Sequence, residues 1–320
     1  MKAAVLTQLG TTPLLQNIDD PHPENDRQQM IRVKAAPLKT LDKLMTMESF
    51  YACYSDLPAI VGTDGVGILE DGRRVYGQGI TGMFAEKAVI PTNNYVVLPD
   101  NLDFATAAAL PNAVQGSVLP LRLRGDIQQG DTVLINGATG FTGQLAVQAA
   151  RHYGATRIIA TGRSEERLQQ LNKLGAQETI SLTQSDEDIS KQLKQVVSES
   201  PIDIVIDYLW GHPADLLIEA LQNGPTHSVR FINVGNMAGS NIALGAGILR
   251  GSAIELLGSG LGSYTEEEFT RLTTEFLPEM FQLAAKEKLT ITTVPEPLDN
   301  IEQVWNRETE AGKRLVITLA

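Results

Sequence analysis

Along the first third of the chain, apolar residues come in short runs separated by turn formers. Residues 31–35, 65–69, 74–76, 85–90 and 95–98 read as strands, punctuated by Asp71-Gly72, Gly77, Gly79, Gly82, Pro91 and Pro99. That is the pattern of an all-β, barrel-like module. Residues 103–110 are alanine-rich and helical in propensity, and Pro111 is expected to close the helix, because proline removes an N–H from the ladder.

From residue 132 the period changes. Apolar strands at 132–136, 157–161, 178–182, 202–207, 229–234 and 253–257 alternate with segments of helical spacing. Leu145, Ala146, Ala149, Ala150 and Tyr153 mark the first helix, and Leu168, Leu171 and Leu174 the second. A polar helix at 186–198 and another after Pro213 follow. Strands alternating with helices make a parallel sheet with crossovers, and six in this order fit a doubly wound sheet. Thr265 ahead of Glu266-Glu267-Glu268 reads as a helix cap with acids at the positive end. Residues 295–297 read as a loop and 316–319 as a last strand.

Length and composition narrow the class. With 42% hydrophobic and 20% charged residues the chain is an ordinary globular protein, and 320 residues exceed what one core usually supports, so two domains are expected. The formal charge of −12 repels phosphate backbones, and no basic stripe offsets it, which argues against nucleic acid as a partner. No apolar run reaches the roughly 18 residues that span a bilayer, and Met1-Lys2-Ala3-Ala4-Val5 leads into a strand-like segment, so a cytoplasmic protein without membrane contact is expected. Cys53 is the only cysteine, which rules out an internal disulfide and a cysteine-rich zinc cluster. His22, His152, His212 and His227 lack metal-site spacing, and no metal is expected.

The candidate chemistry begins where Val133-Leu134-Ile135-Asn136 runs into Gly137-Ala138-Thr139-Gly140-Phe141-Thr142-Gly143. A strand, a glycine turn and a helix start bring free backbone N–H groups and the positive helix end toward a pyrophosphate. The plainer alternative is a tight turn that needs positive φ. The next strand ends at Thr161-Gly162-Arg163-Ser164, where a dinucleotide fold senses the adenosine ribose. No Asp or Glu occupies residues 160–164 to accept a 2′-hydroxyl, whereas Arg163 and Arg167 suit a 2′-phosphate. NADP(H) is therefore expected over NAD(H), against the alternative that both arginines are solvated surface charges. Gly235, Asn236 and Met237, and Gly258, Ser259 and Gly260, follow the fifth and sixth strands and are either the nicotinamide end or plain turns.

With those residues placed, most of the chain resembles the medium-chain dehydrogenase/reductase superfamily, in its zinc-free quinone oxidoreductase branch. The likeness rests on Ile60-Val61-Gly62-Thr63-Asp64-Gly65-Val66-Gly67, the Ala-x-Gly-x-x-Gly form at Ala138, Gly140 and Gly143, Leu174-Gly175-Ala176, and Gly312-Lys313-Arg314-Leu315-Val316. It implies a GroES-like, β-barrel-type catalytic domain at 1–115, completed by 262–320, and a Rossmann NADP-binding domain at 116–261, with substrate in the cleft between them. Zinc-dependent alcohol dehydrogenases of the superfamily carry Cys where this chain has Lys39 and His where it has Thr63. Without those ligands, Lewis-acid activation of an alcohol is not expected.

The resemblance also nominates catalytic residues. Lys39 stands where quinone reductases commonly have Asn, and two readings remain: its ammonium stabilises developing enolate charge, or it pairs with Asp42 or Asp64. Tyr51 and Tyr54 fall in the loop that lines the cleft in the family, either as hydrogen-bond donors or as packing. Asn112, in Leu110-Pro111-Asn112, falls where the family approaches the nicotinamide, or else caps a helix at a domain boundary. The expected activity is zinc-independent, NADPH-dependent reduction of a quinone or an α,β-unsaturated carbonyl compound. The alternative from another class is an NADPH-binding protein with a structural or regulatory role and little turnover. A short-chain dehydrogenase is disfavoured, because Tyr153, Tyr208 and Tyr264 are followed four residues on by Arg157, His212 and Glu268 instead of Lys. A bare apolar strand at 253–257 at the sheet edge invites a two-fold homodimer.

Overall fold

The computed structural model describes residues 1–49 and 52–320. It divides into two compact units, Met1–Pro111 with Thr273–Ala320, and Asn112–Leu272.

The first unit opens with β1 (Lys2–Leu6), β2 (Leu14–Asn17), β3 (Gln28–Pro37) and the short helix α1 (Thr40–Met45). Then come β4 (Ala59–Ile60), β5 (Asp64–Leu69), β6 (Arg74–Gln78), β7 (Lys87–Pro91) and β8 (Tyr95–Val97). Helix α2 (Phe104–Leu119) carries the chain into the second unit. There β9 (Thr132–Asn136), α3 (Phe141–His152), β10 (Arg157–Gly162), α4 (Glu165–Leu174), β11 (Glu178–Ser181) and α5 (Asp186–Glu199) alternate. The alternation continues through β12 (Ile204–Asp207), α6 (Gly211–Gln222), β13 (Val229–Asn233), α7 (Ala246–Gly251) and β14 (Ile254–Gly258). Helix α8 (Glu266–Arg271) ends that unit; α9 (Leu277–Ala285), β15 (Thr292–Pro297), α10 (Ile301–Val304) and β16 (Lys313–Thr318) return to the first.

In the second unit the six strands are all parallel, in the order β11-β10-β9-β12-β13-β14. Numbered within the unit this is 3-2-1-4-5-6, the doubly wound order expected from the alternation, with its switch point between β9 and β12. Both faces of such a sheet are covered, so β9 and β12 are buried along their whole length. Leu134, Ile159, Val205 and Phe231 pack with Leu193 and Val197 of α5 and Leu217 and Leu221 of α6.

The first unit holds a three-stranded sheet, β2-β1-β4, and a larger mixed sheet, β15-β16-β3-β5-β6-β8, with β7 also paired to β3. Its core gathers Leu6, Ile31, Phe84, Ile90, Trp305 and Ile317, and the Phe84 and Trp305 rings meet edge to face at 6.2 Å.

Two local expectations are corrected. Pro111 does not end its helix, which continues to Leu119 and then through a π-helical turn, Pro120–Arg124. Ala107, Ala108, Leu110, Ala113, Val114 and Val118 are all fully buried, and packing on every side outweighs the missing hydrogen bond. Residues 295–297 are strand instead of loop: they end β15, which among the described residues pairs only with β16 and forms a rim of its sheet. An edge is where a strand tolerates proline, because no neighbour needs the outward N–H.

Candidate functional site

The glycine turn lies at the switch point of the parallel sheet. Gly137 leaves β9 with φ +87°, a left-handed conformation that glycine adopts without strain. Ala138 is buried, its N–H donating to Thr161 O at 2.8 Å. Gly140 caps α3, and Phe141, Thr142 and Gly143 form its first turn. A Cβ on Gly143 would stand 2.7 Å from Ala138 Cα, so only glycine lets the helix close on the turn. A Cβ on Gly140 would instead project into open space, with only Gly137 O at 3.9 Å, so the missing side chain leaves the turn bare. A bare turn at a helix N-terminus fits a phosphate in geometry and in sign of charge.

Beside it, β10 ends at Gly162, against which Thr139 packs. Arg163 follows and is exposed; Arg167, in the first turn of α4, is half-buried. Ser164 caps α4, its hydroxyl accepting from Arg167 N at 3.4 Å. No carboxylate interrupts this stretch between Gly162 and Ser164. Gly235, Asn236 and Met237 follow β13, with Gly235 N donating to Asp207 O at 3.2 Å and Met237 N to Tyr208 O at 3.2 Å. Met237 is 83% exposed. After β14, Ser259 N donates to Asn233 O at 2.8 Å, and the Ser259 and Tyr264 hydroxyls lie 2.7 Å apart. Asn112 lies inside α2 and not at a helix end, so it is no cap.

The sequence reading missed a row of polar side chains beneath the turn. Thr161 Oγ1 donates to Asn136 Oδ1 at 2.6 Å and accepts from Gly137 N at 3.0 Å. Asn136 Nδ2 donates to Asp207 Oδ1 at 2.8 Å, and Asn233 Nδ2 to Asp207 Oδ2 at 3.4 Å. The signal in the sequence is the polar residue that ends each of three largely apolar strands.

In the first unit, Lys39 caps α1 and is buried with Asp42 and Asp64. Its ammonium pairs with Asp64 Oδ1 and lies 3.3 Å from Asp42 Oδ2, so both partners named in the sequence engage it. Thr63 Oγ1 lies 3.1 Å from both Asp42 Oδ1 and Asp64 Oδ1, and Tyr76 donates to Asp64 Oδ2 at 2.9 Å. Burial works against the Lys39 charge, but the two carboxylates outweigh it and hold the ammonium above its ordinary range. Burial pushes the Arg314 guanidinium down, while Asp42 and Asp64 pull it the other way. Burial raises Tyr76 well above its usual range, with the Asp64 charge adding to it, so it remains a donor. Tyr54 accepts from Gly62 N at 3.1 Å, and burial, then the Asp42 charge, push its phenol up to about 12. Tyr51 lies outside the described residues. Among the described residues, no group of three or more His, Cys, Asp or Glu side chains is arranged to hold a metal ion, and no helix is long and apolar enough to cross a membrane.

Comparison with known proteins finds oxidoreductases of similar sequence and fold. A family model described as zinc-binding dehydrogenase matches residues 142–277. The chain is 27% identical to a protein described as a probable NADPH-dependent quinone reductase of Emericella nidulans, over 98% of this chain and 99% of that one. It is 32% identical to an NADPH-dependent alkenal/one oxidoreductase of Arabidopsis thaliana, across 58% of this chain and 53% of the other. Its fold matches the quinone oxidoreductase of Thermus thermophilus, solved also as a complex with NADPH, at a TM-score of 0.78, with 25% identity and both chains fully covered. In sequence and in fold the chain is similar to the quinone-reductase-like branch of the medium-chain dehydrogenase/reductase superfamily.

Proposed function

We propose that this chain is a zinc-independent, NADPH-dependent oxidoreductase that reduces a quinone or an α,β-unsaturated carbonyl compound. The observation that carries the reading is the bare glycine turn at the switch point, followed on the neighbouring strand by Arg163 in place of a carboxylate. The backbone from Ala138 to Gly143 would hold the pyrophosphate, and Arg163, Ser164 and Arg167 the 2′-phosphate. Gly235, Asn236, Met237, Gly258, Ser259 and Gly260, at the ends of β13 and β14, would border the nicotinamide, with Asn112 as a further contact. Bound, the reduced nicotinamide supplies the hydride.

The protein's own groups have simpler work. Tyr54, protonated at every physiological pH, offers its O–H to the substrate oxygen while its own oxygen accepts from Gly62; Tyr51 is the second candidate donor. Lys39 and Thr63 stand where zinc-dependent relatives carry ligands, and an ammonium held between two carboxylates repels a dication at that position. Lys39 and Asp64 are therefore assigned to holding this wall of the first unit. The similarity to a probable quinone reductase of Emericella and an alkenal/one oxidoreductase of Arabidopsis supports the two acceptor classes. A two-fold homodimer through the outer edge of β14, the last strand of its sheet, completes the proposal and is checked by sedimentation at micromolar concentration.

Purified protein, mixed with NADPH or NADH and a panel of quinones, enals and enones, tests the reading. NADPH oxidation with at least one acceptor, and a clear preference over NADH, is the expected result. NADPH binding without turnover on any acceptor would favour a structural or regulatory role instead.

A further inference from the structure

The polar row beneath the glycine turn has a direction. Asp207 faces Asn136 in β9 and Asn233 in β13, and Thr161 stands one residue past the Ala160–Ile135 pair, so the four side chains cross four adjacent strands in line. Asn136, Thr161 and Asp207 are each 1% exposed or less, where a polar atom without a partner is costly. An ionised carboxylate only accepts, so the group that Asn136 turns toward Asp207 must be its NH₂. Its carbonyl oxygen then faces Thr161, whose hydroxyl must donate to it, and a hydroxyl lone pair is left for the Gly137 N–H. Orientation thus passes from one carboxylate through two side chains to the first residue of the turn.

The same carboxylate accepts from Leu209 N at 3.1 Å and Trp210 N at 3.0 Å, and Asn233 Nδ2 also donates to Gly235 O at 2.7 Å. Three loops at the carboxyl edge of the sheet, after β9, β12 and β13, therefore hang on one buried group. Nothing in the row needs to touch a ligand to influence one.

We propose that Asp207 is a positioning residue for the nucleotide: acting through Asn136 and Thr161, it fixes Gly137 and with it the backbone amides that meet the pyrophosphate. This rests on the NADP(H) reading above and adds a residue that acts from beneath the site. Because the pyrophosphate is common to both nucleotides, disturbing the row must weaken NADPH and NADH alike, whereas losing Arg163 must weaken NADPH alone.

The test uses Thr161→Val, Thr161→Ser and Asp207→Asn in the intact protein. Dissociation constants for NADPH and NADH come from fluorescence titration, and protection of the Gly137 amide from hydrogen exchange without nucleotide. Thr161→Val, which keeps the shape and removes the hydroxyl, is expected to weaken both nucleotides about tenfold and to speed exchange at Gly137. Thr161→Ser should stay within about twofold of wild type. Asp207→Asn should lose at least as much as Thr161→Val, with the NADPH/NADH ratio unchanged; if it does not fold, the Thr161 pair decides. Tight binding by Thr161→Val, equal weakening by Thr161→Ser, or unchanged protection at Gly137 would overturn the inference and leave the NADP(H) reading standing. Wild-type protein that binds neither nucleotide would overturn both.

Discussion

Replacing Lys39 by Met is the sharpest perturbation the structure offers, because it keeps the aliphatic stem and deletes only the charge. The Lys39 side chain is 4% exposed, that of Asp42 0% and that of Asp64 8%, so neither carboxylate of the cluster can turn to solvent without moving backbone. At 3.3 Å, and with an effective dielectric of about 20, the attraction between Lys39 and Asp42 alone is about 5 kcal/mol in gross terms. The contact with Asp64 is closer still. Desolvating the three ions offsets several kcal/mol each, so the intact cluster contributes little net stability. Its disruption is another matter, since the attraction of Arg314 would be left to balance two buried carboxylates. The expected cost of Lys39→Met is about 3–5 kcal/mol, which lowers the melting temperature of the first unit by roughly 6–20 °C. Urea unfolding followed by circular dichroism measures it, and adding Asp64→Asn to Lys39→Met should recover at least about 1 kcal/mol. A Lys39→Met protein within about 1 kcal/mol of wild type, or a double variant whose losses simply add, would refute the argument.

Other outcomes can be checked separately. Arg163→Ala should raise the KM for NADPH by about tenfold or more and leave that for NADH within about twofold, because only the former carries the phosphate that the guanidinium would meet; equal changes in steady-state assays would remove Arg163 from that role. Gly143→Val would force a side chain against Ala138, where even a Cβ stands 2.7 Å from Cα, and should abolish nucleotide binding in titrations and destabilise the second unit by about 1–3 kcal/mol. Glu268 is held down to about 2, first by the Arg124 guanidinium that bonds both its oxygens and then by Thr265 N. Its folded value lies below the unfolded one, so its contribution is present above about pH 4.5 and is lost as pH falls toward 2. Glu268→Gln should therefore cost up to about 1 kcal/mol at pH 7, and the difference from wild type should narrow between pH 5 and pH 3 in urea titrations; a pH-independent difference would contradict the assignment.

The second unit was the more legible part of the sequence, because strands of a parallel sheet are covered on both faces and appear as uninterrupted apolar runs. The glycine turn was legible for a related reason: the spacing of Ala138, Gly140 and Gly143 is set by close backbone contacts that no other side chain permits. Lys39 was visible only as a choice between roles, since its partner Asp64 is 25 residues away and Arg314 lies at the far end of the chain. The row of Thr161, Asn136, Asp207 and Asn233 was hidden because each residue is an unremarkable polar residue at or next to a strand end until strand order brings the four together. Pro111 and residues 295–297 misled for the same reason, as packing in one case and a rim position in the other override what proline does locally.

The two prolines of β15 have a consequence for how molecules of this protein meet. Pro295 and Pro297 have no N–H to present to an incoming strand, and the opposite rim, β8, is only three residues long. Those two margins of the mixed sheet therefore resist pairing with a further strand. The doubly wound sheet has no such guard, because neither of its border strands, β11 and β14, contains a proline.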